Sequence, residues 1–147
     1  MTIPPVRKTI TVTRGVDDAF KLFTDGIGTW WPFKQGHSIG EERVTNAVFE
    51  PKAGGRVFEV WDDGSEHHWA EVLVYDPPHR FVLAWKPNPD RPAPTELEVR
   101  FTSDGAGTRL DLEHRGWERL GEPGEQARAN YDSGWPLTLR LYAEAAS

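Results

Sequence analysis

The sequence predicts an α+β domain in which one antiparallel sheet is covered by a long C-terminal helix. Three observations carry this. Fourteen Gly and twelve Pro fall between short β-rich runs, the punctuation of strands joined by turns. Period-2 alternation recurs through the middle of the chain, most cleanly where Leu97, Val99 and Phe101 interleave with Glu96, Glu98, Arg100 and Thr102. After Gly116 the spacing changes to three and four: Ala127, Tyr131, Trp135, Leu139 and Tyr142, with Leu137 and Leu141 beside them, put one apolar face on a helix over 125–146. A helix with one apolar face has only that sheet to cover.

The elements follow in order. Ile10 and Val12 among Thr9, Thr11 and Thr13 make a first strand over 7–14. Gly15 breaks it, Asp17 and Asp18 put negative charge in a first helical turn, and Val16, Ala19, Phe20, Phe23 and Ile27 recur at helical spacing up to about Gly26. Trp30 and Trp31 precede the helix-stopping Pro32, which suits a short second helix or turn over 27–32. Strands then succeed one another over 44–49, 56–61, 69–75 and 81–85. Gly54-Gly55, Asp62-Asp63-Gly64 and Asp76-Pro77-Pro78 supply the turns between them. A proline-rich loop over 87–94 leads to a hairpin in which Leu97, Val99, Phe101, Leu110 and Leu112 share a buried face. Pro136 is expected to kink the last helix or to start its second half.

The length of 147 residues fits one domain spanning 1–147, with one core. With no cysteine, disulfides, thiolate zinc sites, iron–sulfur clusters and thiol nucleophiles are excluded. Seventeen Lys plus Arg against 23 Asp plus Glu give a net charge of −6, which opposes phosphate neutralisation, so a nucleic-acid partner is not expected. No apolar run approaches the roughly 18 residues of a membrane span, and the first twelve residues do not read as a signal peptide, so a cytoplasmic protein is expected.

Several residues invite a chemical reading. Gly36-His37-Ser38-Ile39-Gly40 matches the pattern of a hydrolase nucleophile elbow, but Pro32 precedes it and a strand follows, so a Gly-bounded loop is the better reading. In Glu66-His67-His68 the adjacent histidines of a strand point to opposite faces, which a polar start to a strand explains better than a metal site. Asp17-Asp18 and Asp62-Asp63 are accounted for by helix-dipole and turn roles. Glu71, between Trp69 and Leu73, is expected on an exposed face, because Ala70, Val72 and Val74 offer an equally good buried one. His114 continues the parity of Leu110 and Leu112 and therefore faces the core or a cavity in it. A hydrogen-bonded structural role is favoured for it over a ligand contact, and it is also the best-placed acid–base candidate should one be needed. Seven tryptophans suit both a packed core and the wall of an apolar pocket.

Five stretches together resemble the bacterial relatives of the C-terminal domain of the heat-shock-protein ATPase activator, the Aha-type family within the START-like (SRPBCC) superfamily. They are Ala19-Phe20 with Trp30-Trp31-Pro32, Phe49-Glu50-Pro51 with Gly54-Gly55, Asp76-Pro77-Pro78 with the apolar run over 81–85, Gly107-Thr108-Arg109-Leu110 with residues 114–117, and Gly134-Trp135. Val16 stands where the family commonly has proline. The resemblance implies a helix-grip architecture, a curved antiparallel sheet around the long C-terminal helix with two short helices after the first strand and a cavity between sheet and helix. It implies an apolar, aromatic or acyl small-molecule ligand in that cavity, lined by Trp31, Phe58, Trp85, His114, Tyr131 and Trp135, with cyclase- or hydrolase-like catalysis open and no cofactor or metal. A protein-interaction role as a chaperone ATPase activator is the alternative, and the chain is expected to be a monomer or homodimer.

Overall fold

The computed structural model describes residues 2–147. Seven strands form one sheet in the order β1-β7-β6-β5-β4-β3-β2, and every neighbouring pair is antiparallel. They are β1 (Val6–Val12), β2 (Val44–Phe49), β3 (Arg56–Trp61), β4 (Glu66–Asp76), β5 (Arg80–Trp85), β6 (Thr95–Asp104) and β7 (Gly107–Arg115). Helices α1 (Val16–Thr24) and α2 (Ile27–Trp30) follow β1, and α3 (Gly124–Ala145) closes the chain. Strands β2 to β7 form a meander of successive hairpins, and only β1 joins the sheet out of turn, against β7. Among the described residues no helix is long and apolar enough to cross a membrane.

The alternation on β6 and β7 translates directly into packing. Val99 pairs with Leu112 and Phe101 with Leu110, and all four side chains are buried on the face beneath α3. From α3, Ala127, Trp135, Thr138, Leu139 and Tyr142 are buried in return. The helix runs unbroken through Pro136, so it does not restart there. That residue is exposed, and water can serve the carbonyl that its missing N–H leaves unpaired. One end of the space between sheet and helix is filled by aromatic packing. Phe20 meets Phe81 and Phe101 edge-on, and Phe23 lies 5.0 Å from the ring of Tyr142. The Tyr142 hydroxyl donates to the Ala19 carbonyl at 2.6 Å and ties α3 to α1.

Two irregularities in β4 decide which of its side chains enter the core. The register shifts between Val57 and Phe58 against β3, and between Val72 and Val74 against β5. A bulge puts two residues of one strand opposite one of its partner, so Trp69 and Ala70 are both buried, while Glu71 stays exposed as expected. The outer face of β6 and β7 is polar and paired: Glu98 bonds Arg80, Arg100 and Arg115, and Glu96 bonds Arg115 and Arg119.

Candidate ligand cavity between sheet and terminal helix

At the end opposite the phenylalanine cluster, the sheet and α3 stand apart. Tyr131, Gly134, Trp135 and Thr138 fall at helical positions i, i+3, i+4 and i+7, so they project from one face of α3. Facing them are Trp69 from β4 and Trp85 from β5, whose strands place Ala70 opposite Trp85. Trp31, just after α2, and the loop bearing His37 close the sides. Between these groups lies a cavity of about 460 Å³. Its walls are flat: the Trp31 ring lies 5.0 Å from Trp69 and 6.0 Å from Trp135, the latter edge-on.

Polar contacts fix each wall. The carboxylate of Glu59, fully buried on β3, accepts four N–H groups. These are Ile39 N at 2.8 Å, Gly40 N at 2.7 Å, Trp61 Nε1 at 2.7 Å and Trp69 Nε1 at 2.6 Å. One side chain thus holds both the Trp69 wall and the loop that rims the cavity. Trp31 Nε1 donates to the His37 carbonyl at 2.8 Å, and Trp85 Nε1 donates to the Tyr131 hydroxyl at 2.9 Å. His37 Nδ1 lies 3.4 Å from Thr138 Oγ1, and its ring passes over Gly134, where an added Cβ would come within 3.1 Å of Cε1. Burial lowers the His37 pKa from its ordinary value, against the pull of the Glu41 carboxylate.

Of the six residues proposed to line the cavity, Trp31, Trp85, Tyr131 and Trp135 border it, and Phe58 and His114 do not. Phe58 points to the other face of the sheet, paired across from Val48 and His68 and covered by the Arg56 guanidinium 4.3 Å from its ring. The apolar residues of β3 occur in both parities, and the inward set is the one that contains Glu59.

His114 is fully enclosed behind the cavity wall. Its Nδ1 accepts from Trp135 Nε1 at 3.2 Å, which leaves the proton on Nε2, and Nε2 lies 2.8 Å from Thr95 Oγ1. Burial pushes its pKa down from 6.5 to about 3. The structural role is the one found: His114 orients Trp135 and exchanges no proton with the cavity, so the acid–base expectation for it is withdrawn.

The other motifs resolve as local structure. Ser38 Oγ donates to the Phe33 carbonyl at 2.6 Å and accepts from Glu41 N at 3.0 Å, so the hydroxyl closes a turn. His67 stacks on Trp61 at 3.6 Å, while its neighbour His68 sits across from Phe58 on the other side of the strand. Three contributors escaped the sequence reading: Trp69, turned inward by a bulge; Glu59, a charge on an inner face; and His37, masked by the interest of Ser38 beside it.

A family model described as Activator of Hsp90 ATPase homolog 1-like protein matches residues 15–145. The chain belongs to this family. Among solved structures, an anthrahydroquino-γ-pyrone synthase, Txn09, is 34% identical with a TM-score of 0.66, and the match covers 97% of each chain. The self-sacrificing resistance protein CalC from Micromonospora echinospora is 29% identical with a TM-score of 0.71, covering 97% of this chain and 94% of that one. The Aha1 dimer from Colwellia psychrerythraea, 15% identical with a TM-score of 0.62 and covering 98% and 96% of the two chains, shares the fold. No match was found among curated protein sequences. The helix-grip, START-like architecture of the family is the one seen here, with its curled sheet gripping the C-terminal helix.

Proposed function

We propose that this protein binds a planar, largely apolar small molecule of two or three fused rings in the cavity between sheet and α3. The observation that carries this is the cavity of about 460 Å³ faced by Trp31, Trp69, Trp85 and Trp135, a size inside the about 300–1,000 Å³ typical of small-molecule sites. Broad indole faces at mutual angles favour flat aromatic guests by stacking and edge contacts. The name of Txn09, a synthase of an anthrahydroquinone-derived pyrone, supports the same ligand class here. Of the two chemistries implied by the resemblance, ring closure is the one we favour over hydrolysis, because the Ser38 hydroxyl is committed to its turn.

The test uses anthraquinone as probe, read by quenching of Trp emission and by the rise in melting temperature that a ligand of the native state produces. Gly134→Leu would fill the cavity from the helix side. Replacing a helical Gly by a better helix former favours the helix by up to about 1 kcal/mol. The variant is expected to stay folded and to lose about tenfold or more in probe affinity, the equivalent of about 1.4 kcal/mol. Failure of the wild-type protein to bind any fused-ring probe, together with stimulation of a chaperone ATPase, would replace this reading with the chaperone-partner one.

A further inference from the structure

We propose that Tyr131 and His37 set the polarity of the ligand: the Tyr131 hydroxyl donates to a keto oxygen, and His37 Nε2 accepts from a hydroxyl elsewhere on the same ring system. This rests on the binding reading above and narrows it to oxygenated fused-ring compounds.

An indole N–H can only donate. The contact of Trp85 Nε1 with the Tyr131 hydroxyl therefore occupies a lone pair on the phenol oxygen and leaves its hydrogen to find an acceptor. Among the described residues that hydrogen has none, and Tyr131 borders the cavity. A hydroxyl that accepts one hydrogen bond becomes a better donor in the next. Burial also raises the Tyr131 pKa, so the phenol keeps its proton.

His37 is the complementary group. Its backbone is held by Trp31 and its Nδ1 faces Thr138 Oγ1, while Nε2 has no partner among the described residues. The Thr138 hydroxyl can accept as well as donate; in the tautomer that directs Nδ1–H at it, the neutral imidazole offers the Nε2 lone pair as an acceptor to the cavity, and this is the tautomer the proposal requires.

The helix sets the spacing between the two groups. Thr138 lies two turns beyond Tyr131, or about 10 Å at 1.5 Å per residue, and the His37 ring reaches back over Gly134, one turn nearer. Along the helix axis, the positions at which donor and acceptor stand are therefore about 5–10 Å apart, comparable to the span of two or three fused rings. A hydrocarbon of that size would fill the cavity and leave both groups unpaired, which disfavours it against an oxygenated analogue.

Three probes of one framework test this, each titrated by Trp quenching: anthracene, anthraquinone and a monohydroxyanthraquinone. Each of the two steps, from anthracene to anthraquinone with its two keto oxygens and from anthraquinone to the hydroxylated probe, is expected to tighten binding by about three- to tenfold. Read as the ratio of affinities within each variant, Tyr131→Phe should erase the gain from anthracene to anthraquinone, and His37→Phe should erase only the gain from the hydroxyl. A cooperative melt in the absence of probe identifies the variants as folded. Equal binding of all three probes by the wild-type protein overturns the proposal and leaves the binding reading standing. Gains that survive in both variants also overturn it, and assign the polarity to other groups such as Asn88 and Asn130, which also border the cavity. If none of the three binds, the binding reading itself falls.

Discussion

Replacing Glu59 by alanine is expected to lower the unfolding free energy by about 3–5 kcal/mol, measured by urea denaturation at neutral pH. The buried carboxylate is the acceptor for two backbone and two indole N–H groups, and alanine would leave all four donors without a partner. Glu59→Gln preserves shape, yet it substitutes an NH₂ for one of the two acceptor oxygens and sets donor against donor, so part of the loss should remain. Because the same contacts hold Trp69 and the His37 loop, both variants should also weaken fused-ring probes. A Glu59→Ala protein as stable as the wild type would show that these bonds are replaced by water at no cost.

The second large effect is acid sensitivity from His114. Its folded pKa of about 3 lies below the ordinary 6.5, so the native state prefers the neutral ring. The associated stability is complete above pH 6.5, and it drains away as the pH falls toward 3, because unfolded chains take up the proton first. At about 1.36 kcal/mol per pH unit, the loss over that interval comes to about 5 kcal/mol. Unfolding free energies measured by urea at pH 7 and pH 4 should diverge strongly in the wild type and much less in His114→Gln. Equal divergence in both proteins would place the acid response elsewhere, for instance in Glu98 and Glu113, whose carboxyls also sit below their ordinary range.

Where one face of an element is apolar and the other charged, the sequence reads correctly. Leu97, Val99 and Phe101 against Leu110 and Leu112 needed only alternation, and Tyr131 and Trp135 needed only helical spacing. Alternation misleads where a strand's parity is not its chemistry. A bulge adds one residue to a strand and leaves no compositional trace, so alternation alone puts Trp69 on one face with exposed Glu71, whereas the folded strand turns it into the cavity wall. On β3, hydrophobicity favoured Phe58, but the inward parity belongs to Val57 and Glu59, whose charge is stabilised by donors from a loop twenty residues earlier. Parity puts His114 on the inward face, where it is found, but parity cannot distinguish a residue lining a cavity from one sealed behind its wall. The signal that could have pointed to His37 was its place in a glycine-bounded loop, where the chain can turn a side chain inward.

The out-of-turn pairing of β1 orders the steps by which the molecule is assembled. Strands β2 to β7 each pair with a sequence neighbour, so the meander can zip hairpin by hairpin at low loop-closure cost. Val6, in contrast, meets His114, more than a hundred residues along the chain, and the amide of Arg14 reaches the carbonyl of Ala146. β1 can therefore find its partner only after β7 has been made, and the Arg14 amide its acceptor only after α3. Lys8 on β1 then pairs with Asp132 on α3 at 2.9 Å, so strand and helix settle together. Contacts this distant in sequence slow folding, and α3, which roofs the cavity, packs on β1, so the cavity is expected to close late in folding.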